Sequence, residues 1–294
     1  MSLPWDLVAC PGCAASLREE PEAAVCSGCG ANYPGRDLRL RAPRKVTLSF
    51  ELGSALFSGD EPDFSPLDLN PAPEVDFRGF ELPPHLTPEM ASHLPAAKRA
   101  DAACLDLGCG DGEYRRAIEH AGYRWIGADH ADERAPLLAD AHALPFRDSS
   151  FDLVVSLAVL EHIRYPHVMM REVHRVLRPG GILFGSVAYL VPFHQESFYN
   201  MTHYGTASAL EHAGFRVDKI AGDRHYLGAR AISVSGLLRG APRTLAYAAV
   251  APLLALHRLW WWLNARRAPA RFSETERLLL NTGAFLFIAR KAEQ

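Results

Sequence analysis

The chain has no uninterrupted apolar run of the roughly eighteen residues that a bilayer-spanning helix needs. Its nearest approach, Thr244 to Leu256, is closed by His257 and Arg258. It has no excess of positive charge: the net charge is −3 and the pI about 6.5. That removes the simplest case for a nucleic-acid binder, a strongly basic domain, though not a local basic patch. Met1 to Asp6 carry no basic stretch before an apolar run, so no secretory leader is read there and a cytoplasmic location is expected. There is no internal repeat and no low-complexity tract. Cysteine is scarce, 6 in 294 residues. In a reducing compartment clustered cysteines point to metal more than to disulfides. Apolar residues are plentiful: 48% hydrophobic against 22% charged. This supports a real core and excludes a mainly disordered or fibrous chain. The length fits one large domain, or an ordinary domain with a small module.

Four stretches differ in texture. Residues 1–42 hold a compact cysteine module. Residues 43–95 are proline-rich and poor in periodic pattern, and read as a linker draped over the neighbouring main domain, with short helices at most. Residues 96–294 form that main domain, within which 227–281 is a hydrophobic, arginine-dotted helical insertion ahead of a last strand. In the main domain Ala103–Leu107, Arg124–Ala128, Phe151–Leu157, Ile182–Val187 and Phe215–Ile220 read as strands. Glu113–Ala121, His167–Leu177 and Thr206–Ala213 read as helices, the second stopped by Pro179-Gly180-Gly181. Such alternation predicts an α/β fold, a doubly wound Rossmann-like sheet with helices on both faces.

Strand Leu105-Asp106-Leu107 feeds Gly108-Cys109-Gly110-Asp111-Gly112. Glycines let backbone pass close to a ligand, and ligands of such sheets bind beyond the carboxyl ends of the strands. A nicotinamide site wants G-x-G-x-x-G; here the third glycine comes one residue early and Glu113 takes its place. Asp106 just before the turn would repel a pyrophosphate but suits an ammonium group. Asp129 closes the second strand, where a carboxylate bonds ribose hydroxyls. In Ala139-Asp140-Ala141 a carboxylate is placed to accept from an adenine amino group. The inferred ligand has an amino-acid end, a ribose and an adenine, and no phosphate. S-adenosylmethionine fits.

Cys104 to Tyr114, Gly127-Ala128-Asp129, Asp140 to Phe146, Ser150-Phe151-Asp152, Val159-Leu160-Glu161-His162-Ile163 and Arg175 to Gly181 occur in an order that resembles the class I S-adenosylmethionine-dependent methyltransferases, the methyltransferase type 11 group above all. The resemblance covers about residues 100–226. It implies that Asp106, Gly108 and Gly110 line the methionine end, Asp129 the ribose, Asp140 and Ala141 the adenine, and that Leu157 and His162 face the cofactor. One departure stands out: ten residues separate Asp129 from Asp140, about half the family's usual spacing, so the intervening helix must be very short or absent.

Cys10-Pro11-Gly12-Cys13, twelve residues, then Cys26-Ser27-Gly28-Cys29 can present four thiolates tetrahedrally to Zn²⁺. A closed four-sulfur site predicts a structural role, with the metal folding a module that has little core of its own. Val8 to Pro34 resembles the Trm112-like zinc-binding domain, whose stand-alone members activate methyltransferases; here the module is fused in cis.

A hydroxyl acceptor needs a general base. His162, His194 and His203 are the histidine candidates, with Glu196 and Tyr199 beside them. Pro192 to Gly205 follows the fifth strand and resembles a loop of methyltransferases of glycan and polysaccharide pathways. For each histidine the plain alternative is capping or packing. The insertion holds Leu245 to Leu263 with Trp260-Trp261-Trp262 between arginines. That pattern suits a helix lying in a membrane surface, with contact over about 244–267, and suits rather better a lid or a dimer interface whose apolar face is buried in protein. Pro252 is expected to kink or split any helix there. Three functions stay open. One is O-methylation of a small-molecule or glycan-type, even lipid-linked, acceptor. Another is RNA methylation with the zinc module holding the RNA, which the low basic charge disfavours. The third is a non-catalytic S-adenosylmethionine-binding activator of a partner.

Overall fold

The computed structural model describes residues 4–21, 23–34, 39–41, 45–50 and 61–293; residues 43–44 and 51–60 of the expected linker lie outside them. Strands β1 (Leu17–Glu20), β2 (Ala23–Cys26) and β3 (Asn32–Pro34) form a small antiparallel sheet. Strand β4 (Arg39–Leu40) and the short helix α1 (Pro88–Ser92) come next. The main domain then runs β5 (Ala103–Leu107), α2 (Arg115–His120), β6 (Arg124–Ala128), β7 (Leu138–Ala139), β8 (Phe151–Leu157), a 3-10 turn (Leu160–His162), α3 (Pro166–Val176) and β9 (Leu177–Ala188). It closes with α4 (His203–His212), β10 (Phe215–Gly222), α5 (Gly228–Ile232), α6 (Arg243–Ala265), α7 (Glu274–Asn281) and β11 (Ala284–Lys291).

Six strands make the central sheet in the order β10-β11-β9-β8-β5-β6. The β9-β8-β5-β6 side is parallel, and β11 is antiparallel to both β9 and β10. Strand β5 is buried at every position, as a central strand covered on both faces must be. Between Asp129 and Asp140 there is no helix: Asp129 N–H donates to the Leu137 carbonyl and Ala139 N–H to that of Asp129. The shortened spacing leaves room for nothing more. Strand β9 starts at Leu177 and runs through Pro179-Gly180-Gly181, where sequence predicts a break. Leu177 already pairs with Phe151, and a register shift absorbs the turn residues. Helix α6 passes through Pro252 without a break, against expectation; proline removes one ladder bond there.

The proline-rich stretch packs as well as connects. Leu67, Val75, Leu86 and Met90 are buried in one cluster with Cys104, Ile118 and Tyr123. Thr87 caps α1, accepting from Met90 N–H at 3.2 Å. The cysteine segment shares its core with the main domain, Val8 and Leu40 lying in one cluster with Leu144 and Phe146. Ala9 N–H donates to Pro145 O at 2.9 Å and Arg147 N–H to Leu7 O at 2.9 Å. Asp6 takes a two-pronged bond from Arg124 at 2.8 and 3.1 Å.

Candidate active site

The carboxyl ends of β5, β6 and β8 converge on the glycine turn. Gly108, Gly110 and Gly112 all have positive φ, 79°, 52° and 91°, a region that penalises a side chain. A Cβ at Gly108 would sit 2.4 Å from Val159 Cγ2, so this glycine is required by the approach of the β8 loop. At Gly110 a Cβ would meet only Asp132 Oδ2, at 3.8 Å, so this backbone faces open space.

Asp106 is 1% exposed. Its Oδ2 accepts from the indole N–H of Trp125 at 2.9 Å. Burial pushes its carboxyl up to about 7, the Trp125 bond pulling the other way and Asp129 and Glu113 adding repulsion. Nothing in the local sequence around Trp125 marks it for a role. Only the register Asp106↔Gly127 reveals it, because it places the indole against Gly127. Half-buried Asp129 accepts from Gly110 N–H through Oδ2 at 3.0 Å. Its Oδ1 accepts from Ala131 and Asp132 N–H at 2.8 and 2.9 Å. These bonds tie the glycine turn to the end of β6 and leave lone pairs for further donors.

Asp140 accepts from the N–H of His142 at 2.9 Å, and its Oδ1 lies 2.6 Å from His142 Nδ1. Tyr165 N–H donates to His142 Nε2 at 3.1 Å, so Nδ1 carries the ring proton and donates to the carboxylate. That hydrogen bond holds Asp140 down to about 2, against partial burial. Its Oδ1 is thus taken by His142. Ala141 and Leu157 are buried, Leu157 in one cluster with Cys109 of the turn. Ala158, next along, sits at φ 55°, strained for a residue with a side chain; its N–H donates to Ser186 Oγ at 3.0 Å.

Past β8 the 3-10 turn and the loop after β9 are laced together. Phe198 and Tyr199 N–H both donate to the Glu161 carbonyl, at 2.7 and 3.2 Å, and Asn200 Nδ2 donates to Val191 O at 2.8 Å. The lacing brings His194 to His162, with ring centroids 5.1 Å apart and perpendicular. Burial and the neighbouring His194 hold the His162 imidazole below its ordinary value. Glu161, 1% exposed, completes the group, with Oε1 4.0 Å from His194 Nε2. The sequence shows Glu161 only as a motif letter beside His162; its signal is an acidic residue set among Val159, Leu160 and Ile163. His203 lies elsewhere, at the start of α4, in ring contact with Phe64, Tyr204 and Phe285. Glu196 and Tyr199 are exposed, and the Tyr199 hydroxyl donates to Arg164 O.

Cys10, Cys13, Cys26 and Cys29 gather with all four sulfurs within 4.8 Å of one another. Cys10 and Cys29 are 3.8 Å apart, Cys13 and Cys26 3.4 Å, close to the edges of a tetrahedron with bonds of about 2.3 Å. Gly28 and Cys29 N–H point at Cys26 Sγ, 3.3 and 3.4 Å away. The cluster is compatible with a zinc module. No helix among the described residues is long and apolar enough to cross a membrane.

A family model described as a methyltransferase domain matches residues 105–185. An uncharacterized methyltransferase of Mycolicibacterium paratuberculosis is 31% identical over 195 residues, 60% of this chain and 75% of that one. The 27-O-demethylrifamycin SV methyltransferase of Amycolatopsis mediterranei is 35% identical over 130 residues, 38% of this chain and 47% of that relative. Among solved structures, an S-adenosylmethionine-dependent methyltransferase from Mesorhizobium loti is similar at 19% identity. That likeness covers 69% of this chain and 96% of the other, with a TM-score of 0.42.

Proposed function

This chain belongs to the class I S-adenosylmethionine-dependent methyltransferases, and from that membership we propose that it O-methylates a small-molecule or glycan-type acceptor, presented at the Glu161–His162–His194 cluster. The observation that carries this is the pairing of that cluster with the glycine turn across one β8 loop, Val159 touching Gly108 at one end and Glu161 facing His194 at the other.

The cofactor supplies an electrophilic methyl group on a sulfonium. The chain's own residues hold and align. Asp106, ionised, pairs with the methionine ammonium, and the open backbone at Gly110 lets that end lie close. Asp129 takes the ribose hydroxyls on its remaining lone pairs. Asp140, through the oxygen that His142 leaves, and Ala141 bound the adenine, and Leu157 closes the floor. At the acceptor end, the imidazoles of His162 and His194 with Glu161 take charge of the hydroxyl proton. His203, in its aromatic surroundings, enters as the second proton acceptor to test.

The four cysteines hold a structural Zn²⁺ in a Trm112-like module. The docking of Ala9 and Leu7 on Pro145 and Arg147 supports a bracing role next to the adenine loop. The insertion supports a lipid-linked acceptor. Leu253, Leu256, Trp260 and Trp262 of α6 are 53–65% exposed. From Arg224 to Ser273 there are eight arginines (224, 230, 239, 243, 258, 266, 267, 271) and no Asp or Glu, which favours an anionic membrane surface. The insertion also reaches the acceptor loop: a Cβ at Gly236 would lie 3.6 Å from Pro192 Cγ, and one at Gly228 2.6 Å from Leu190 Cβ.

The test is methyl-labelled S-adenosylmethionine with purified enzyme and fractionated extract of the source organism. Label in the lipid or polar-metabolite fraction, lost in His194→Ala, supports the proposal. Label in RNA, or none without a second protein, overturns it in favour of RNA methylation or partner activation.

A further inference from the structure

The acceptor-side cluster has the make-up of a cation site. His194 Nδ1 lies 3.1 Å from the Pro192 carbonyl. A carbonyl only accepts, so Nδ1 carries a proton, and in the neutral ring Nε2 presents a lone pair. That lone pair faces the Glu161 carboxylate, Nε2 to Oε1, at 4.0 Å. Two acceptors facing each other repel unless a cation lies between them. The other carboxylate oxygen, Oε2, is buried and has no hydrogen-bond partner among the described residues. Buried polar atoms are almost always partnered, so each exception asks for a cause. His162 adds a third donor: one atom from each of Glu161, His162 and His194 falls within 4.8 Å of the others. His194 is oriented by a backbone carbonyl, as metal-ligating histidines usually are.

We propose that Glu161, His162 and His194 bind a divalent first-row transition cation, with open coordination positions toward the acceptor. Two imidazoles and a carboxylate suit Zn²⁺, Fe²⁺ or Mn²⁺ and leave positions free. Bonds of about 2.1 Å require the donors to close in by about an ångström. His194 sits between exposed Phe193 and Gln195 and can move that far. With the cation bound, these imidazoles act as ligands and no longer as proton acceptors: an acceptor hydroxyl on the cation gives its proton to water and keeps the O–H electron pair on oxygen, since a cation lowers the pKa of bound hydroxyls. This rests on the assignment of the cluster to the acceptor.

The experiment uses the full chain, stripped with chelator, given one equivalent of Zn²⁺ for the four thiolates, then titrated with Co²⁺. One further Co²⁺ per chain is expected, with ligand-field absorption and no thiolate charge-transfer band. His194→Ala should weaken that uptake at least tenfold while S-adenosylmethionine binding and the thermal midpoint stay within error. Glu161→Gln should weaken it too. No uptake, or equal uptake by His194→Ala, overturns the cation site. If uptake fails while labelled extract still depends on His194, the cation is refuted and the acceptor assignment stands. If Co²⁺ binds as expected but no fraction is labelled, the site stands and the O-methylation proposal falls.

Discussion

Replacing Asp106 by Asn should stabilise the cofactor-free enzyme and weaken its hold on S-adenosylmethionine. Burial raises the Asp106 carboxyl from 3.8 to about 7. A buried acid with a raised pKa favours the fold only while protonated. Its penalty is absent below the unfolded pKa, grows as pH rises from about 4 to about 7, and is constant above. Linkage with these two values gives about 4 kcal/mol at pH 8, about 2 at pH 5 and under about 1 at pH 4, as upper bounds. Asn keeps an acceptor for the Trp125 indole and carries no charge. The thermal midpoint at pH 8 should therefore rise by roughly 5 °C for a chain of this size, and the gain should vanish toward pH 4. Calorimetric titration should show cofactor affinity roughly 10- to 100-fold weaker, a charged hydrogen bond contributing about 1.5–3 kcal/mol. In the unsubstituted enzyme, affinity should drop about tenfold per pH unit below about 7, because the ammonium pairs only with the ionised carboxylate. A variant no more stable at pH 8, or a gain that does not change with pH, would show that Asp106 carries no such penalty.

Gly108→Ala meets both a positive φ and Val159, so a loss of about 1–3 kcal/mol and abolished cofactor binding are expected in thermal melts and titration. Gly240, at φ 89° with nothing within 4 Å of a Cβ, is the control: Gly240→Ala should cost about 1 kcal/mol and leave binding intact. Metal analysis should find one zinc per chain on the four cysteines. Stripping it should raise hydrogen exchange at the Ala9 and Arg147 amides, which tie the module to the main domain, before the β5 amides respond. Co-sedimentation with phosphatidylglycerol vesicles should be salt-sensitive and fall roughly tenfold in Leu256→Glu/Trp260→Glu, with little binding to neutral vesicles in either protein.

Much of the sheet is legible because its strands are short apolar runs punctuated by glycine. Ala103–Leu107, Arg124–Ala128 and Phe151–Leu157 appear at the residues where patterning puts them. The missing helix before Asp140 follows from chain length alone, since ten residues cannot return from one strand end and build a helix. What stayed hidden depends on register and on distant pairing. Trp125 braces Asp106 from a neighbouring strand. Val8 bridges Phe146 across nearly half the chain. Glu161 acquires its partner only when the loop after β9 folds back onto it. Local signals also misled where tertiary packing outweighed them: Pro179-Gly180-Gly181 lies inside β9, and α6 continues through Pro252.

O-methylation itself is read from the bond that the transferred methyl group makes. With ¹³C-methyl S-adenosylmethionine and the product isolated from the labelled fraction, two-dimensional NMR identifies the atom attached to the new carbon. A methoxyl correlation on a small-molecule or glycan product is the expected result. A methyl on nitrogen or carbon, or a label found in nucleotides, would rule O-methylation of such an acceptor out.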